Sequence, residues 1–249
     1  MRNANIVRAV FVRRLNRFVV EVTLDGAIER VHVKNTGRCA ELLVPGYRVY
    51  LQRVDAPGRK TAFDLIGVEK PVGDGARYVN VDSMAPNLAA AEWLAAGGFG
   101  PLEDLRAEVT VGDSRFDFCA RQGGRAVAVE VKGCTLERDG VARFPDAPTL
   151  RGLKHVRALT ELARRGWRCA VLFVIQMKGA DVFEPNWDTQ PEFGEALIEA
   201  REAGVEVLAV DCRAEPGTVE IDAPVRVELK CPIPRQLPER SGIFPQNGL

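Results

Sequence analysis

The sequence has no apolar run near the roughly 18 residues that a membrane-spanning helix needs, which argues against that class of protein. Its start, Met1-Arg2-Asn3-Ala4-Asn5, leads straight into an alternating pattern, without the apolar core and small-residue cleavage site of a secretory signal. The six cysteines (Cys39, Cys119, Cys134, Cys169, Cys212 and Cys231) include no C-x-x-C pair and no regular spacing. A zinc site or a disulfide framework would need closer or more regular spacing, so the thiols read as small core residues in a reducing compartment. Only two histidines are present, which leaves little imidazole for acid–base work. Repeats and low-complexity tracts are absent too. These shortages predict a cytoplasmic protein with no membrane partner.

Net charge is also lacking, with 34 Lys/Arg against 34 Asp/Glu, but the balance is uneven along the chain. Residues 1–82 carry a net +5 and the remainder a net −5, as expected for a polyanion-binding module joined to a carboxylate-rich one. A solvated surface is the plainer account of so small a difference. With 249 residues and a 46% hydrophobic share, the chain can bury one large core or two modest ones.

The first part reads as short strands at residues 6–12, 18–22, 28–33, 47–54 and 62–69. Asp25-Gly26 is a hairpin turn, and a brief helical stretch falls near Cys39–Leu43. Five such strands suit a small barrel of the oligonucleotide-binding (OB) type, or a generic five-stranded barrel. From about residue 83 the period lengthens. A helix is expected at Pro86–Ala96, with Leu88, Ala91, Leu94 and Ala95 on one face, stopped by Gly97-Gly98. Strands follow at 105–111, 114–120 and 125–132, then a helix at 149–165 and a fully buried strand at 170–175. A helix at 191–203 and a strand at 205–210 complete the order. The fold class is therefore α+β or mixed α/β: an OB-like barrel (1–82), then a mixed sheet flanked by helices (83–230). The last segment, 231–249, has four prolines and reads as a loosely held tail.

Chemistry concentrates in two neighbouring strands. Alternation puts Val127, Val129 and Val131 on one face and Ala126, Ala128, Glu130 and Lys132 on the other. A two-residue turn at Gly123-Gly124 would set Asp117 opposite Glu130, and Arg115 beside Lys132. Opposed carboxylates repel unless a cation lies between them, and a hard ion such as Mg²⁺ or Mn²⁺ prefers such oxygen donors. An ion there would polarise a scissile phosphate, while Lys132 orients the attacking water or neutralises developing charge. The competing reading is a solvated hairpin, or a Glu–Lys pair at a strand end.

At these residues the chain resembles the sugar fermentation stimulation protein (SfsA) family, whose second domain is similar to the PD-(D/E)xK nucleases. The resemblance covers about residues 5–230. It rests on Asn35-Thr36-Gly37-Arg38, Leu42-Leu43-Val44-Pro45-Gly46, Ser114-Arg115-Phe116-Asp117-Phe118, Val129-Glu130-Val131-Lys132, Phe144-Pro145-Asp146-Ala147-Pro148-Thr149, Arg151-Gly152 and Lys154-His155. It implies an OB-type barrel before a nuclease-like domain, with nucleic acid, DNA before RNA, as partner. By position, Asp117, Glu130 and Lys132 take the superfamily's catalytic places. Glu92, on the preceding helix, falls where many members carry a further acidic metal ligand beside Asp117 and Glu130. Two departures stand out: Gln190 replaces an aspartate often found before Pro191, and the tail is long.

Further substrate contacts are expected from Asn35 and Arg38 on their loop, and from Arg151, Lys154 and His155 along one face of the 149–165 helix. A solvated face, and a structural role for His155, are the alternatives. Arg13, Arg14, Arg17, Arg59 and Lys60 could extend a positive track. The resulting expectation is a Mg²⁺- or Mn²⁺-dependent nuclease. Its alternative is a non-catalytic, largely sequence-nonspecific DNA-binding regulator of sugar metabolism.

Overall fold

A computed structural model describes residues 5–35 and 37–231. The predicted tail, Cys231 apart, lies outside the described residues, as does Thr36. Six strands build the first sheet: β1 (Ile6–Arg14), β2 (Val19–Leu24), β3 (Ala27–Val33), β4 (Arg48–Arg53), β5 (Phe63–Val72) and β6 (Gly75–Asn80). Their order is β3-β2-β1-β4-β5-β6, and parallel pairing of His32 with Asp64 and Val33 with Leu65 closes the first five into a barrel. The five-stranded OB-type barrel is therefore present, with β6 added along β5. β6, which begins at Gly75 and has few apolar residues, shows little alternation in the sequence. The expected helix at Cys39–Leu43 is a single turn, in which Leu42 and Leu43 N–H reach the Cys39 carbonyl at 3.1 and 2.9 Å.

After α1 (Ala85–Ala95) comes a nine-stranded mixed sheet. Its strands are β7 (Glu103–Val111), β8 (Ser114–Gln122), β9 (Arg125–Cys134), β10 (Leu136–Arg138), β11 (Val141–Phe144), β12 (Arg168–Ile175), β13 (Val182–Pro185), β14 (Val205–Glu215) and β15 (Thr218–Val227). Helices α2 (Leu150–Arg164) and α3 (Pro191–Glu202) complete the element set. The order is β10-β11-β13-β15-β14-β12-β9-β8-β7. β12 lies between β9 and β14, parallel to both, and Ala170–Ile175 are all 0% exposed, as an uninterrupted apolar run requires. Four strands of this sheet, β10, β11, β13 and β15, were not legible. Three are four residues or fewer, and β15 contains Pro224. That proline pairs with Val210 beside a register shift, a place where a strand tolerates a missing N–H.

The two faces of the sheet are covered differently. α1 packs Ala85, Ala89, Ala90 and Leu94 against Val127, Val129 and Val131, while α2 and α3 cover the face that carries Ala128, Val171 and Phe173. Leu88 does not join the buried face of α1, since it is 45% exposed. Among the described residues no helix is long and apolar enough to cross a membrane, and all six cysteines are free thiols.

Polar groups join the barrel to the larger sheet. Gln176, just past β12, donates to Asn80 Oδ1 at 2.8 Å and to the Asp82 carbonyl at 3.1 Å. Glu137 of β10, 3% exposed, accepts from Lys70 Nζ at 2.8 Å and the Gly140 N–H at 2.8 Å, with Arg77 Nη1 an ion-pair neighbour at 2.9 Å. Burial alone would raise its pKa, but Lys70, the Gly140 N–H and Arg77 together hold it below the ordinary value. That stabilisation is present above the unfolded value of 4.5 and is lost as pH falls through the lower folded value. Glu137→Ala would strand two half-buried cations. Urea unfolding should show a loss of about 3 kcal/mol at neutral pH, shrinking under acid. A loss below about 1 kcal/mol would show that the seam does not depend on this carboxylate.

Candidate metal and nucleic-acid site

The Gly123-Gly124 turn has φ of 54° and 80°, the left-handed values glycine takes without strain, and the pairs from Gln122–Arg125 to Phe118–Val129 follow from it. The ladder stops there. Instead of a backbone pair at Asp117, the side chain takes over: Asp117 Oδ2 accepts the Val131 N–H at 2.8 Å. Its Oδ1 accepts Asn87 Nδ2, from the first turn of α1, at 2.8 Å. Strand alternation breaks at this point. Phe116 packs on the α2 side and Phe118 on the α1 side, whereas a regular strand would put both on one face. Across from Asp117, between the pairs Ala107–Phe118 and Val109–Phe116, Glu108 holds φ at 55°.

On β9, alternation carries Glu130 and Lys132 toward α2. Glu130 is 3% exposed, and its Oε1 accepts from both Lys132 Nζ and His155 Nδ1. A carboxylate can only accept, so His155 carries its proton on Nδ1. The His155 ring is itself buried, 6.2 Å from that of Phe116. The other carboxylate oxygen, Glu130 Oε2, is buried with no hydrogen-bond partner. Burial pushes Glu130 toward neutrality, but His155 and Lys132 outweigh it and hold its pKa below the usual range. Asp117 goes the other way. Burial first, then the charge of Glu130, raise it above the ordinary aspartate value.

The remaining predicted residues divide. Glu92 does not join the pair. It lies five residues beyond Asn87, well round the helix, and is exposed; among the described residues no three His, Cys, Asp or Glu side chains group as metal ligands. α1 brings Asn87 to Asp117 instead, and no sequence signal marked that asparagine. Lys154 is exposed and its Nζ reaches the Asp113 carbonyl in the β7–β8 turn at 2.8 Å. Arg151 is exposed on the same helix, one turn from His155. Thr149 caps α2, accepting the Gly152 N–H at 3.0 Å, and its own N–H donates to Gln190 Oε1 at 2.9 Å. Gln190, at the position where the family often has aspartate, thus ties the starts of α2 and α3 together.

Asn35 serves its own turn, donating to the Val81 carbonyl at 3.0 Å and accepting the Gly37 N–H at 2.8 Å. Arg38 is exposed, with its backbone N–H held by Asp146 Oδ2 at 2.8 Å, a contact between segments 108 residues apart. The expected positive track is shorter than the basic residues suggested. Arg13 pairs with Glu21 and Arg59 with Asp64, while Arg14 donates to the carbonyls of Arg17 and Arg38.

Residues 84–218 match the family model described as "Sugar fermentation stimulation protein RE domain", and residues 12–81 match "SfsA N-terminal OB domain". The chain is 48% identical over 229 residues to the sugar fermentation stimulation protein homolog of Desulfitobacterium hafniense (strain Y51), covering 92% of this chain and 99% of that one. It is 46% identical over 230 residues to the homolog of Ruminiclostridium cellulolyticum, covering 92% and 100%. Among solved structures, Pyrococcus furiosus SfsA in complex with Ca²⁺ superposes with a TM-score of 0.80 at 30% identity, covering 92% of this chain and 98% of that one.

The raised Asp117 gives the site a measurable cost. At neutral pH its ionised form opposes folding, and that cost disappears as pH falls through the raised value. Asp117→Asn keeps an acceptor for Val131 and removes the charge. In EDTA at neutral pH it should melt above wild type, by on the order of 1 kcal/mol. Adding Mn²⁺ should raise the melting temperature of wild type and not that of Asp117→Asn. A variant less stable than wild type in EDTA would contradict the repulsion argued here.

Proposed function

The chain belongs to the sugar fermentation stimulation protein family, and on that premise we propose that it binds nucleic acid and hydrolyses its phosphodiester bonds with a divalent cation. The observation that carries this reading is the Glu130 carboxylate, 3% exposed, with one oxygen shared by Lys132 and His155 and the other without a partner. A buried carboxylate oxygen left without a partner costs free energy, and a bound cation would answer it. In this reading residues 1–82 are the nucleic-acid-binding barrel and residues 83–230 the hydrolytic unit.

The residues present fit a hard divalent ion. Asp117 and Glu130 offer only oxygen donors, Glu130 Oε2 is buried and unanswered, and the charge of one carboxylate disfavours ionisation of the other. Two protein carboxylates leave most of the coordination shell to water and substrate phosphate, the arrangement Mg²⁺ and Mn²⁺ accept. The Ca²⁺ held by Pyrococcus furiosus SfsA is an oxygen-seeking ion of the same class. When bound, the cation supplies Lewis acidity toward the scissile phosphate.

The protein's own groups then divide the work. Lys132 Nζ, 13% exposed at its side chain, faces the carboxylate and can neutralise charge growing on the phosphoryl oxygens or orient the attacking water. His155 acts as a positioning residue, since its Nδ1–H fixes Glu130 and its ring is packed against Phe116. Asn87 and the Val131 N–H fix Asp117 in the same sense. Arg151, Arg38 and Lys154 are surface cations available for backbone phosphates.

Single- and double-stranded DNA and RNA, incubated with Mg²⁺, Mn²⁺ or EDTA, test the reading. Cleavage should require the metal, favour DNA, and fall by at least about 10²-fold in Lys132→Ala and Glu130→Ala, with circular dichroism unaltered. Variants that cut like wild type would overturn the assigned residues. Salt-sensitive binding without cleavage under any metal would instead favour the non-catalytic regulator.

A further inference from the structure

We infer that the seam between the barrel and the larger sheet holds one unpaired nucleotide of the bound strand. The inference rests on the nucleic-acid reading above and narrows it to substrates that present unstacked bases.

A cavity of about 300 Å³ opens along the seam. The barrel contributes Arg17, the start of α1 contributes Pro86, and the larger sheet contributes Gly133, Arg143 and the Phe144–Thr149 segment. Gly133 directly follows Lys132 on β9 but, by strand alternation, faces α1, where Pro86 and Gln176 stand beside it. A side chain at Gly133 would fill this end, because a Cβ there would stand 2.7 Å from both Pro86 Cγ and Gln176 Oε1. The volume sits at the low end of ligand pockets, roughly 300–1,000 Å³, which suits one nucleotide rather than stacked base pairs. The lining suits one as well. Arg17 and Arg143 present guanidinium groups for phosphate, Arg143 keeping a 3.3 Å contact to Glu184, and Phe144, Pro145 and Pro148 give apolar walls for a base.

A second observation is independent of the cavity. Leu150 is 82% exposed, Met84 57% and Phe18 48%. Each directly follows a residue of the lining: Thr149, Ser83 and Arg17. Large exposed apolar side chains next in sequence to the lining of an arginine-bearing cavity are poorly suited to water, and suited to stack on, or wedge between, bases that have lost their partners. Arg17 and Phe18 act as a unit in this respect. The guanidinium lies 5.8 Å from the ring centre, so one turn offers a cation to phosphate and a face to a base.

The test compares binding of the full chain to a single strand of roughly 12 nucleotides and to its duplex, as DNA and as RNA. Anisotropy gives affinity, 2-aminopurine in the strand reports unstacking, and each measurement is made in EDTA and again in Ca²⁺. The single strand should bind at least about tenfold more tightly than the duplex, with 2-aminopurine brightening on binding. Arg17→Ala and Leu150→Ser should each weaken single-strand binding by about fivefold or more. Ile28→Ser, at a position 58% exposed on β3 and outside the lining, should not. Duplex binding as tight as single-strand binding, or Arg17→Ala and Leu150→Ser indistinguishable from wild type, overturns the seam inference and leaves the nucleic-acid reading standing. No binding of any strand overturns both.

Discussion

A carboxylate taken almost wholly out of water has to be answered at each oxygen, and Glu130 imposes that demand on the middle of the larger sheet. Lys132, two residues along the same strand, and His155, from α2, answer one oxygen. For His155 to arrive there, α2 must start where it does. Thr149 caps it, Gln190 holds Thr149, and Phe116 lies against the imidazole. Asp117 reaches the same place by giving up its ladder position and bonding the Val131 N–H instead. The interruption of β8, the start of α2 and the first turn of α1 all serve a single pair of acids. The second oxygen of Glu130 stays unanswered by protein, and that vacancy is the chemical basis for assigning a cation.

The barrel bears on this site through its seam. Glu137 gathers Lys70 and Arg77 from β5 and β6, Gln176 holds Asn80 and Asp82, and Asp146 receives the N–H groups of Arg38 and Cys39. Of these, Gln176 and Asp146 also line the cavity that opens beside Gly133. Leu150, Met84 and Phe18, each next in sequence to a residue of its lining, are exposed.

Much of this was legible in the sequence, for identifiable reasons. β12 announced itself by six consecutive apolar residues, and the β8–β9 register followed from two glycines that take positive φ. Alternation alone put Glu130 and Lys132 on one face. What escaped depends on tertiary context. β15 carries a proline that only its bulged partner makes tolerable, and β13 is four residues long. Asn87 is an ordinary helix residue until Asp117 meets it, whereas Glu92, the acidic residue that the resemblance implied, lies exposed five residues further along α1. Arginines 13, 14 and 59 looked like a phosphate track because sequence shows charge without its partners; Glu21, Asp64 and a set of loop carbonyls engage them. The seam joins residues as far apart as Asn80 and Gln176, beyond the reach of any local pattern.

Ionised Asp117, beside the charge of Glu130, opposes folding so that a cation can be held, the usual relation between a functional site and its scaffold. Its most direct test is diffraction from crystals soaked in Mn²⁺, with data collected for the anomalous signal of the metal. The account predicts one strong peak in contact with carboxylate oxygens of both Asp117 and Glu130. Saturating Mn²⁺ with no peak there, or a peak that touches neither acid, would contradict it.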